Sequence, residues 1–239
     1  MKVEVWSDFV CPFCYIGKRR LEHAVENFSA KEKVMIEYRS YELDPNAKHN
    51  PEQNIHEMLA GKYNMSVEKA KSMNNDLGKQ AAEVGLTYNF DAMQHTNTFD
   101  AHRLTKYAET HGLGNEMTER LLDAYFTDSK LISDHATLVE LAKEVGMDEK
   151  EVTDMLKADD FAKNVRAEEE QARQIGVQGV PFFVFNEKYA VSGAQPPEVF
   201  SEVLEKVWEE ENDKPVLQSL NPKKSETTYC TDDGCESID

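Results

Sequence analysis

Positive charge is what this 239-residue chain has too little of: 27 Lys and Arg stand against 45 Asp and Glu, a formal net charge of −18. Nucleic-acid phosphates and anionic lipid surfaces are bound through Lys and Arg, so the shortfall argues against both as partners. Long apolar runs are missing too, and none approaches the roughly 20 residues of a membrane span. No basic-then-apolar leader precedes the strand-like alternation that begins at Met1-Lys2-Val3-Glu4-Val5-Trp6, so a cytoplasmic location is expected. Cysteine is scarce. Four in a chain of this length do not make a disulfide scaffold, and in a reducing compartment they read as catalytic, redox-sensing or metal-binding. None of the seven histidines stands at metal spacing with a second ligand, and neither a metal nor a cofactor is expected.

What remains is a globular composition, 40% hydrophobic and 30% charged, with the cysteines gathered into two local pairs. The first is Cys11-Pro12-Phe13-Cys14. Residues 2–7 alternate like a half-buried strand, Ser7 to Val10 make a turn, and Leu21, Ala24, Val25 and Phe28 then recur as the apolar stripe of a helix. Pro12 suits the first turn of that helix, where a missing N–H costs nothing. A helix start favours a thiolate, so Cys11 is expected to be the exposed nucleophile and Cys14, one turn in, the shielded resolving thiol. Asp8 would oppose ionisation if it pointed inward, and Asp8 with Trp6 is near enough in sequence to assist proton transfer at Cys14. The competing readings are a buried structural pair, or half of a zinc site completed by Cys230 and Cys235. Placement between strand and helix favours the reactive pair.

Val34, Ile36 and Tyr38 alternate in a second strand, so a right-handed crossover should set the first two strands parallel. No strand-like run follows until Phe182 to Phe185. Everything between has helical period, with caps at Ser66, Asn97, Asp134 and Asp148 and a further helix over 161–175 ending at Gly176. Asn186-Glu187 turns the third strand into a fourth over 189–192, and Pro196-Pro197 opens a last helix. Beyond Glu209 the chain is acidic and poor in large apolar residues, which predicts mobility. His102 falls on a helix of the central stretch, where a core or surface role outweighs catalysis.

The stretch from Ser7 through Cys11 and Cys14 to Lys18 resembles the DsbA-like branch of the thioredoxin fold, and within it the FrnE-like proteins. So do Gly176 to Phe182 with Gly179-Val180-Pro181, Tyr189 to Pro196, and Ala101-His102-Arg103-Leu104. The resemblance implies an α/β thioredoxin-like fold of DsbA type with a large all-helical insertion. Its parts would be a discontinuous thioredoxin-like domain over 1–44 and 176–211, an insertion domain over 45–175, and a flexible acidic tail over 212–239. It also implies thiol–disulfide exchange: Cys11 attacks, Cys14 resolves, Pro181 is the cis-proline facing the pair, and the Val180 backbone pairs with an extended substrate. Cys230 and Cys235 become an auxiliary redox pair, as in some FrnE-like proteins. Phe13 departs from the many oxidising relatives that carry His inside the pair, which points to isomerase, reductase or mild oxidase work.

The expected function is therefore a protein disulfide oxidoreductase or isomerase acting on protein thiols, with glutathione or a thioredoxin-type reductant as electron partner. One alternative is a glutathione-dependent enzyme like the 2-hydroxychromene-2-carboxylate isomerases of the same family, which carry Ser where Cys11 stands. The other is a holdase-type chaperone with the cysteines as a redox switch.

Overall fold

The computed structural model describes residues 1–212 and the backbone of 227–231 and 234–238. The chain opens with β1 (Lys2–Ser7), α1 (Pro12–Glu26) and β2 (Met35–Ser40). Seven helices follow: α2 (Ile55–Tyr63), α3 (Val67–Ala82), α4 (Phe99–Glu109), α5 (Gly114–Phe126), α6 (His135–Glu144), α7 (Glu149–Lys157) and α8 (Ala162–Gln174). The chain then returns to β3 (Phe182–Phe185), β4 (Tyr189–Ser192) and α9 (Pro197–Asn212). Strand order is β2-β1-β3-β4, with β1 parallel to β2 and antiparallel to β3. The helices between β2 and β3 interrupt the sheet, the arrangement that the resemblance to a thioredoxin-like fold of DsbA type implies. Residues Met1–Trp208 form one compact unit and Glu209–Asp239 a second.

Alternation predicted a half-buried β1, but both of its faces are covered. Val3 and Val5 pack with Leu21, Phe183, Phe200 and Leu204, while Trp6 on the opposite face meets Ala172 and Val177. The difference arises because α8 comes back over the polar face of the strand. Glu4 is buried there only because Arg39 Nη2 lies 2.6 Å from its carboxylate and Lys2 Nζ 3.2 Å.

That same face carries a buried ionic clamp. Glu168 of α8 receives Arg39 Nη1 at 3.0 Å, Lys106 Nζ at 2.9 Å and the Ser40 N–H at 2.7 Å. Burial pushes the Glu168 carboxyl up, yet Lys106 and the other donors outweigh it and hold it below the usual range. The clamp binds α4 and α8 to β2.

Helix starts follow the side-chain chemistry of their caps. Ser66 accepts from the Lys69 N–H, Asp134 from Thr137, and Asp148 from Lys150 and Glu151. Two boundaries move by one residue: Thr98 is the cap of α4, with Asn97 Oδ1 accepting from the Phe99 N–H, and Phe161 stands before α8 at φ 61°. Helix α2 escapes a reading by periodicity because it is short and lacks a strong apolar stripe. Its signal is instead the capping box of Asn54 and Glu57, each accepting from the other's N–H at 3.0 Å.

Within the stretch expected to be a flexible tail, two short strands are described. β5 (Thr227–Thr231) and β6 (Gly234–Ile238) pair antiparallel, in keeping with the β-branched and aromatic run Thr227-Thr228-Tyr229. Cys230 stands directly opposite Cys235 in that register. The acidic stretch expected to be mobile over 213–226 lies outside the described residues, as do the side chains of both cysteines.

Candidate active site

β1 ends at Ser7, and α1 begins immediately after Cys11, whose extended backbone makes it the N-cap residue with Pro12 in the first turn. Both thiols are free. Cys11 Sγ lies 3.5 Å from the Val180 carbonyl oxygen, across from the cis peptide bond that joins Val180 to Pro181. Cys14 lies one turn deeper, where the Asp8 N–H reaches its Sγ at 3.5 Å. The structure thus brings Cys11, Cys14, Val180 and Pro181 together.

Cys11 is not the exposed nucleophile that its place at a helix start suggested. It is 5% exposed, whereas Phe13 beside it is 45% exposed. The Val180 carbonyl covers its sulfur on one side, and the loop after α3 reaches the start of α1 beside it. Tyr88 donates its hydroxyl to the Pro12 carbonyl at 2.7 Å, and its ring stacks on Phe126 at 4.5 Å. Burial, then the nearby Cys11, push the Tyr88 phenol well up, so it stays a donor. Burial likewise pushes the Cys14 thiol far up, with Cys11 adding to it and Ser7 and the Asp8 N–H opposing. Cys14 therefore rests as a protonated thiol at neutral pH.

On the sheet side the fit is tight. Gly17 of α1 faces Pro181 so closely that a Cβ there would lie 3.0 Å from Pro181 Cγ and 3.1 Å from Phe183 Cζ. A side chain there would make Pro181 or Phe183 give by a few tenths of an ångström. On the other side, Tyr15, Lys18 and Arg19 of α1 converge on Glu119 of α5, with Tyr15 Oη at 2.6 Å and Lys18 Nζ at 2.5 Å. Burial pushes Glu119 up, but the Arg19 hydrogen bond and the Lys18 charge win and bring it down to about 2.

Cys11 opens on a groove of about 520 Å³ walled by Val10, Phe13, Met58, Leu59, Met73 and Leu77. Its lining is predominantly apolar, with Lys62 and His95 against Asp44 and Asp76 at the margins. A groove of this size and character suits the apolar flank of a bound thiol compound.

Asp8, Trp6 and His102 separate in an instructive way. Trp6 faces α8, its Nε1–H donating to the Glu168 carbonyl at 3.2 Å, and takes no part in the site. The Asp8 carboxylate turns from Cys11: Oδ2 accepts from the Leu43 N–H at 2.8 Å, and Oδ1 lies 3.3 Å from His102 Nε2. Tyr88 and Ser7 are neighbours of the pair that sequence reasoning missed. Ser7 is the residue before Asp8 and could have been found from its place at the strand end, but nothing in the chain singles out Tyr88.

A family model for a DSBA-like thioredoxin domain matches residues 2–205. The solved structure of a probable DsbA oxidoreductase, SCO1869 from Streptomyces coelicolor, is 39% identical with a TM-score of 0.84, covering 99% of this chain and 98% of that one. A 2-hydroxychromene-2-carboxylate isomerase shares the fold at 15% identity and a TM-score of 0.68, over 89% of this chain and 98% of that one. The cytosolic disulfide reductase DsbM from Pseudomonas aeruginosa, solved with GSH, does so at 17% identity and a TM-score of 0.62, over 87% and 99% of the two chains.

Proposed function

The chain belongs to the DSBA-like thioredoxin domain family, and from that premise we propose that it exchanges thiols and disulfides on protein substrates, chiefly as an isomerase. The observation that carries this reading is the Cys11 thiol, held 3.5 Å from the Val180 carbonyl at the cis-Pro181 turn and opening on an apolar groove. An extended peptide lying along Val180 brings a disulfide to Cys11, and the groove takes its apolar flank. The Cys11 thiolate attacks one substrate sulfur, forming a mixed disulfide and releasing the other sulfur as a thiolate. In isomerisation a second substrate thiolate then displaces Cys11, and no electrons are gained or lost overall. In reduction Cys14 attacks Cys11 Sγ instead, the pair is oxidised by two electrons, and glutathione or a thioredoxin-type dithiol must restore it. Phe13 supplies no imidazole inside the pair, which supports isomerase or reductase work over strong oxidation.

Cys230 and Cys235 act in this reading as an auxiliary pair that exchanges with Cys11. Directly opposed positions on antiparallel strands have Cα spacings of about 4.5–5.5 Å, within the range that a disulfide requires.

A second reading, glutathione-dependent isomerisation of a small aromatic, is favoured by the fold shared with a chromene-carboxylate isomerase and by the apolar groove. Insulin reduction and refolding of scrambled ribonuclease separate the readings. Cys11→Ser should abolish both activities, and Cys230→Ser with Cys235→Ser should slow turnover without abolishing it. Survival of activity in Cys11→Ser would exclude thiol exchange at this site. Chromene turnover with glutathione would establish the second reading, and suppression of aggregation alone would point to a holdase.

A further inference from the structure

Tyr15, Tyr88 and Tyr125 belong to one apolar cluster, and their hydroxyls fare differently. Tyr15 donates to Glu119 at 2.6 Å and Tyr88 to the Pro12 carbonyl at 2.7 Å. The Tyr125 hydroxyl is fully buried and has no hydrogen-bond partner among the described residues. Asp8, whose charge it feels, is already engaged by the Leu43 N–H and by His102. Burial, then the Asp8 charge, push the phenol up, and it keeps its hydrogen at neutral pH. A buried hydroxyl left unpaired forfeits the bonds it had to water, so a native example calls for an explanation.

The place of Tyr125 supplies one. It comes from α5 and lines the groove that Cys11 also lines, together with Phe90, Met93 and Phe126. Its ring lies perpendicular to that of Phe126, centroids 4.9 Å apart, and the residue is 1% exposed, so packing fixes it. The mouth is apolar as well. Of the seven large hydrophobic residues exposed on the described surface, Phe13, Leu43, Tyr63 and Met73 border this groove. Single exposed apolar side chains are ordinary, but four around one groove mark a place where something docks. What docks brings an apolar body for the walls and a polar group for Tyr125.

The chemistry of that polar group is restricted. A carboxylate beside Tyr125 would be buried without a cation, because Lys62 and His95 stand at the margins and His95 already faces Asp44 at 3.4 Å. It would also add a second negative charge in the field of Asp8. An amide carries no charge, and its carbonyl accepts what the phenol has to give. Peptide groups recur at every residue of a polypeptide, beside side chains that can fill an apolar groove. We propose that Tyr125 is a substrate-binding residue whose hydroxyl donates to an amide carbonyl of an apolar peptide segment laid in the groove. This rests on the thiol-exchange reading and names the substrate for it: unfolded polypeptide with apolar residues beside the cysteine, and not a small aromatic acid.

The unpaired state of the hydroxyl gives the test its sign. In the free protein Tyr125→Phe removes a group without a partner, so Tm should hold or rise. In the complex the same change removes a hydrogen bond, so affinity should fall. The probe is a short peptide, blocked at both ends, with leucines flanking a serine where the cysteine would stand, so binding is measured without exchange. Titration calorimetry on the full-length protein should give a Kd about 10-fold higher for Tyr125→Phe than for the parent. Naphthoate, an apolar body with a carboxylate, should not distinguish the two forms.

Equal peptide Kd values overturn the inference, and so does a parent that does not bind the peptide. A loss confined to naphthoate also overturns it and marks an aromatic acid as the occupant. A Tm lowered by more than about 4 °C would do the same, since the hydroxyl would then be paired in the free protein. Should Tyr125→Phe not fold, the ¹³Cζ resonance of Tyr125 in the unsubstituted protein decides: it moves on adding the peptide, or the inference falls. Exchange is scored separately, with the cysteine form of the peptide presented as its disulfide. Binding that depends on Tyr125 without exchange at Cys11 would break the thiol-exchange reading and leave the inference standing. Exchange with equal Kd values would do the reverse.

Discussion

The two walls that enclose Cys11 and Cys14 do different kinds of work. The wall on the sheet side, Val180, Pro181 and Phe183, meets the thiols with a backbone carbonyl and hydrocarbon and contains no group that titrates. The wall built by the chain between β2 and β3 reaches the residues around the pair, with Tyr88 on Pro12, His102 on Asp8 and Glu119 on Tyr15, and adds the apolar groove beside Cys11. One wall is backbone carbonyl and hydrocarbon, and the other carries hydrogen-bonding and ionic groups around the start of α1.

Several substitutions would test that division. The largest effect belongs to the sheet side: Gly17→Ala drives a Cβ to 3.0 Å from Pro181 Cγ, and overpacking of this kind costs about 1–3 kcal/mol. Thermal unfolding should show the loss, and insulin reduction should fall with it because α1 and the Val180 carbonyl are pushed apart. A variant with parental stability and activity would mean that the two elements are not held at contact.

On the helical side, Glu119→Gln should cost about 1 kcal/mol at neutral pH after discounting for partial exposure, or ~2–4 °C in Tm. The sign with pH is definite. Glu119 is held down at about 2 when folded, against roughly 4.3 in an unfolded chain, so its stabilisation is full above the unfolded value and disappears as pH falls towards 2. Melting curves of parent and variant should converge in acid, and a gap that persists there would refute the assignment. The smallest change in stability, within about 0.5 kcal/mol, is expected for Met73→Lys at the half-exposed rim of the groove. It should raise KM for peptides with apolar residues beside cysteine and leave kcat near parental. Equal KM values would show that substrates do not use the groove.

The same division explains what could be read in the chain. The sheet-side wall is legible because local rules write it: alternation for β1 and β2, helix-start chemistry for Cys11, and Gly179-Val180-Pro181 through its resemblance to a known family. The helical wall depends on contacts between residues far apart, such as Tyr88 with Pro12 and His102 with Asp8, which no spacing along the chain encodes. Cys11 was misjudged as exposed for that reason, since the carbonyl that meets its sulfur comes from Val180, 169 residues later. Helix α2 was missed for the opposite one: its signal is local, but it resides in a cap and not in a stripe.

The clamp at Glu168 has a consequence for how the site admits a substrate. Separating α8 from β2 would break the contacts of buried Glu168 with Arg39 and the Ser40 N–H, and breaking a buried pair costs about 3–5 kcal/mol. That is a hundredfold or more against the separated form, so α8 acts as a strut on β2. The groove beside Cys11 is walled instead by α2 and α3, whose Met58, Leu59, Met73 and Leu77 stand outside that strut, so the part of the molecule that borders the reactive sulfur is not the part the clamp makes rigid.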